Sequence, residues 1–115
     1  MGYFLAGNQQ DGRVGPQAMP TVLGTLVTLA EPLFLKTVVL ANRTAGSLVA
    51  TVHVVVADGV AGTSTQVVPG ATIPGNDTLT YSYGDGIPLA ANETVQHLAS
   101  DVGLNIIAVF SRRHR

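Results

Sequence analysis

Three histidines, seven carboxylates and five serines are the side chains with which this chain could do chemistry. His53 sits inside a Val-His-Val-Val-Val run, His97 inside Glu-Thr-Val-Gln-His-Leu-Ala, and His114 next to the C-terminus. No two of them stand at metal-ligand spacing, and no His-Glu-x-x-His occurs. The plain reading of His53 is a half-buried strand residue, sharing a face with Val49, Thr51 and Val55. Most acids fall at turns. Asp77, Asp85 and Glu93 are expected near one end of the fold, where loop oxygens are the raw material of a calcium site. The EF-hand pattern is absent, and solvated turn carboxylates are the simpler expectation. Nucleophilic catalysis needs a serine with a base and an oxyanion hole. None of the five serines lies in a Gly-x-Ser-x-Gly turn. Gly84-Asp85-Gly86 precedes no helix, so it reads as a turn and not a phosphate loop. The chain has no cysteine, which removes thiolate metal sites, disulfides and a thiol nucleophile. No catalytic residue, cofactor or metal site is expected, and the chain is read as a non-enzyme.

Three Asn-x-Thr sequences begin at Asn42, Asn76 and Asn92. They match the glycosylation pattern, but Asn before a Thr-led strand is also ordinary turn chemistry, and that is the reading adopted. Three Phe, three Tyr and no Trp supply little for stacking sugars or bases. Arg112, Arg113 and Arg115 close the chain, fit to touch nucleic acid or an acidic neighbour, or simply to solubilise the strand before them. Net charge is −1, so no global field recruits nucleic acid or an anionic membrane. The start shows no basic region and only a four-residue apolar run, Tyr3–Ala6, so no signal peptide is expected. The most apolar window, 22–41, contains Glu31, Pro32 and Lys36 and fails as a helical span.

The elements that must position these residues are strands. The chain carries 16 Val, 12 Thr and 4 Ile, all stiff at χ1 and suited to a pleated surface. Turn signals recur along the 115 residues, which at this length fit one all-β domain. Residues 1–20, rich in Gly, Gln and Pro, read as an extended N-terminal arm. A β-sandwich follows over 21–111, then a basic tail over 112–115. Strands are expected at 21–30, 33–41, 47–57, 64–68, 77–83, 93–99 and 105–111, with brief extended pieces at 71–74 and 87–89. A helix starting at Gln96 is the competing reading of one segment. The expected fold is thus a small antiparallel β-sandwich of seven to eight strands, jelly-roll-like or Ig-like. Val54, Val55 and Val56 make both faces of the third strand apolar. It is either central between two layers or covered by another chain. Charged residues are only 11% of the chain against 46% hydrophobic, where about 25% charged is usual. That balance favours assembly over a solitary life.

The runs LFLKTVVLANRTAGSLVATVHVVVADG, GATIPGNDTLTYSYGDGIPLAANETVQHLAS and GLNIIAVFS resemble small all-β virion proteins of tailed bacteriophages, over roughly residues 20–111. The arm and the basic end depart from that pattern. The resemblance implies a structural protein of the phage particle, assembled in the bacterial host cytoplasm and most simply a capsid decoration, or cement, protein. Its partners would be other virion proteins, chiefly the major capsid protein, and further copies of itself, with no membrane or nucleic acid. The alternative is a fibre, spike, head–tail or tail component with a receptor- or glycan-binding sandwich, using loops 58–63 and 84–86. The assembly contacts expected on this reading are Tyr3, Phe4, Leu5 and Val14 in the arm, Val54, Val55 and Val56 in the third strand, and Arg112, Arg113 and Arg115 in the tail.

Overall fold

The computed structural model describes residues 3–5 and 11–112, with side chains from residue 12 onward. Nine strands follow one another: β1 (Tyr3–Leu5), β2 (Asp11–Ala18), β3 (Gly24–Leu29), β4 (Leu33–Asn42), β5 (Leu48–Val55), β6 (Gln66–Ile73), β7 (Thr78–Leu89), β8 (Thr94–Ala99) and β9 (Leu104–Arg112). One turn of 3-10 helix, Thr63–Thr65, is the only helical piece among the described residues. Gln96, the start of the competing helix, lies in β8.

Two sheets form, ordered β1-β3-β8-β5-β6 and β2-β9-β4-β7. The antiparallel pairs β5–β6, β4–β7, β3–β8 and β2–β9 nest one inside the next. That is a two-stranded ribbon rolled over two sheets, the eight-stranded jelly roll, and it decides between the two expected topologies. β1 adds a three-residue parallel strand beside β3.

Alternation builds the core. In β9 the residues Leu104, Ile106, Ala108 and Phe110 are buried, and those between them are not. β4 presents Leu33, Leu35, Val38 and Leu40 inward. These meet Leu26, Leu29, Val52, Val68, Ile73 and Val95 of the other sheet in one continuous cluster. Burying such a side chain contributes about 1.5–3 kcal/mol each before entropy is deducted.

Three expectations change. Residues 11–18 are extended, but they are β2, an edge strand paired with β9 from Asp11↔Ser111 to Ala18↔Asn105. The Gly-Pro signal at 15–16 marks a bulge between Val14 and Gln17, not a linker. Gly15 adopts φ +97 there, and a Cβ would run into the Ile106 carbonyl oxygen. Pro69-Gly70 and Gly84-Asp85-Gly86, read as turns, are also bulges inside single strands, opposite register shifts in β5 and β4. Their glycines take positive φ, so the strand absorbs extra residues without ending.

The outer face of β5 is roofed by its own chain. His53 and Val55 point away from the core strands, yet they are only 7% and 1% exposed. Residues 56–65 fold over them, and His53 Nδ1 lies 2.7 Å from Thr65 Oγ1. The doubly apolar Val run is therefore satisfied at Val55 without a second molecule.

Candidate functional site

Four connections meet at one end of the roll: 19–23, 43–47, 74–77 and 100–103. Backbone bonds lock them together, from Met19 N to Leu104 O (2.9 Å), Ala99 N to Pro20 O (2.8 Å), Arg43 N to Gly103 O (3.0 Å) and Asn76 N to Thr44 O (2.8 Å). Asn42 is the staple beneath them. It is buried, and its Nδ2 donates to Gly46 O at 2.8 Å and Ile73 O at 2.9 Å. Its Oδ1 accepts from Thr44 N at 2.9 Å, with the Thr44 hydroxyl at 2.7 Å. A side-chain nitrogen so engaged is closed to glycosylation. Asn76 and Asn92 sit at φ +56 and +71, the left-handed turn geometry that Asn tolerates. All three sequences thus serve turns, as expected.

Large apolar side chains stand out at this end, among the exposed Arg43, Asp77 and Asp101. Val22 and Val102 are 72% and 71% exposed, and Leu23 and Val49 stand beside the same connections at 44% and 37%. Two clefts flank them. One, about 280 Å³, is lined by Thr21, Val49, Thr51, Leu98, Ala99 and Ser100. The other, about 320 Å³, has Met19, Pro20, Val22 and Thr25 along its walls, with His97 among them. His97 lies on the core side of β8, opposite Gly24, and is 1% exposed. Its Nδ1 is buried without a hydrogen-bond partner. Burial pulls its pKa down to about 4, so at neutral pH it is an uncharged ring filling space.

Titrating groups do not converge. Asp77 belongs to this end, Asp85 to the β7 bulge and Glu93 to the opposite end, so the three acids expected together are apart. Asp77 and Asp101 accept the backbone N–H of the residue that follows each, at 2.8 Å, and Glu93 accepts from Ala90 N at 3.1 Å. No group of three metal-capable side chains occurs among the described residues.

The expected contact residues are scattered. Val14 is 1% exposed, inside its own core. Val54 packs half-buried against the core and Val55 lies under the 56–65 roof, while Val56 is 61% exposed. Arg112 stands 3.9 Å from Glu31, a spacing that contributes little at a surface. The side chains of Tyr3, Phe4 and Leu5, and all of Arg113 and Arg115, lie outside the described residues. Of the two binding loops expected, 58–63 belongs to the opposite end and 84–86 lies within β7. The apolar end itself was not foreseen. Its signal was present in Val22-Leu23 and Val102, large apolar residues placed where the chain turns. Comparison of the chain with protein families, with characterised proteins and with solved structures finds no match.

Proposed function

We propose that this chain is a non-enzymatic structural subunit of a tailed-phage particle, a capsid decoration protein that docks on the major capsid protein and stabilises the head. The observation that carries this reading is the apolar end. Val22, Leu23, Val49 and Val102 stand out from a rigid, hydrogen-bonded platform between two clefts. A chain with 11% charged residues that offers large side chains to water has the surface of a subunit and not of a free carrier. The jelly roll supports the reading by analogy only, since virus capsids share it with lectins and cupins. The mechanism is passive: apolar side chains leave water between subunits and the clefts receive side chains from the partner.

Co-sedimentation of the purified chain with undecorated phage heads tests this. Saturable binding is expected, reduced at least tenfold by Val102→Asp with an unchanged circular dichroism spectrum. Failure to bind heads overturns the decoration role. A stable free oligomer that ignores heads points instead to a fibre or spike.

A further inference from the structure

The cleft beside Met19 lies between the edges of the two sheets. Gln17 of β2 stands on one side of it, with Gly24 of β3 and His97 of β8 on the other. Gly24 and His97 are cross-strand partners, so they share one face of their sheet. Because Gly24 has no side chain, the space beside the imidazole stays open. A Cβ at that position would enter it, 3.4 Å from Pro20 Cγ. Met19, Pro20 and Val22 make most of the remaining wall apolar, and Thr25 adds a hydroxyl. The volume of about 320 Å³ falls within the ~300–1,000 Å³ of pockets that take small ligands.

His97 is 1% exposed, and neither of its ring nitrogens has a hydrogen-bond partner among the described residues. Of the two, only Nδ1 is sealed from the surface. A sealed N–H without an acceptor is rarer in proteins than an idle lone pair. The ring proton therefore belongs on Nε2, the nitrogen that the cleft can reach. Burial pulls the His97 pKa down to about 4, so at neutral pH the ring has this one N–H to offer. We propose that the cleft binds an uncharged, mainly apolar group carrying one carbonyl oxygen, which accepts a hydrogen bond from His97 Nε2. The apolar walls select the body of the ligand. The unpaired N–H selects an acceptor. The absence of a charged side chain from the wall, among the described residues, selects against an ion, whose lost hydration nothing there would replace. The inference concerns the isolated chain and stands apart from docking on a phage head.

Titration of the isotope-labelled full chain with cyclohexanone, followed by amide NMR, tests the site. Saturable shifts centred on Met19, Val22, Thr25 and His97 are expected. Gly24→Ala, whose methyl meets Pro20 at an ordinary contact distance, should weaken binding at least tenfold. His97→Leu removes the donor and should weaken it about three- to tenfold, and His97→Gln, which keeps an N–H donor, should recover most of that loss. Should His97→Leu fail to fold, Gly24→Ala decides. Shifts that never saturate overturn the proposal, as does saturable binding that either folded variant leaves unchanged. A free small molecule and a side chain of a docking partner can both present such an oxygen. Co-sedimentation with phage heads in saturating cyclohexanone separates them: release of the chain assigns the oxygen to the partner, and retention assigns it to a small molecule. Heads that bind no chain at all overturn the decoration role and leave the titration to decide the cleft.

Discussion

Asn42 and His97 show how differently two buried polar side chains can be treated. Asn42 uses its amide to close three backbone groups, at Gly46, Ile73 and Thr44. Asn42→Ala leaves the Ile73 carbonyl without that donor, and urea unfolding should register a loss of about 2–3 kcal/mol. Asn42→Asp should cost more, since a carboxylate only accepts and would face two carbonyl oxygens. His97 is buried with an unpartnered Nδ1 and a pKa near 4. Its ordinary value is about 6.5, so the unfolded chain takes up its proton first as pH falls. Stability should be full above pH 6.5 and decline towards pH 4, by about 3 kcal/mol in all. His97→Leu should flatten that slope in urea midpoints measured between the two pH values. Gly103 adopts φ +121, and a Cβ there would collide with the Thr44 methyl. Gly103→Ala should cost about 2–3 kcal/mol and loosen the 43–47 connection, visible as faster amide exchange at Arg43 and Thr44.

At the level of strands, truncation separates two halves of the N-terminal segment. Removing residues 1–10 leaves β2 on β9 and should preserve cooperative unfolding. Removing 1–19 uncovers the β9 edge and takes Val14 from the core, so a lower melting temperature and exposed apolar surface are expected. The sequence reveals β4, β5, β8 and β9 well, because Val-rich alternation and flanking turn residues agree there. It misleads at β2, β6 and β7 for one reason. Gly and Pro ordinarily end strands, but at 15–16, 69–70 and 84–86 the partner strand continues past them, and pairing outweighs local preference. Which apolar residues stay uncovered is a tertiary matter. Val55 and Val56 are neighbours of one type, yet only Val55 lies beneath the 56–65 segment. The prolines have a second role. Pro16, Pro69 and Pro88 all sit on edge strands, where they withhold a donor from any approaching strand.

At the scale of the molecule, the surface of 5,938 Å² matches the roughly 6,000 Å² expected of a compact monomer of this mass. The core side chains are buried within the one chain, so no second molecule is needed to cover them. Proline thus sits on three of the four sheet edges, and β1 is the edge without one. Head binding carried by Val22, Leu23, Val49 and Val102 should change little with salt, and a steep loss between low and high salt would move the contact to the exposed Arg43, Asp77 and Asp101 of the same end. The rolled ribbon also sets an order in time. Its tip, β5–β6, joins neighbours in sequence, whereas its free ends, β2 and β9, lie almost the whole chain apart. Contacts of such long range fold slowly, on the order of milliseconds to seconds. On the ribosome β2 emerges early and waits for the last strand to be made. Nascent chains still lacking β9 hold the inner faces of β2 and β4 open to water, so a polypeptide stalled there becomes a client of chaperones until the nine residues of β9 arrive.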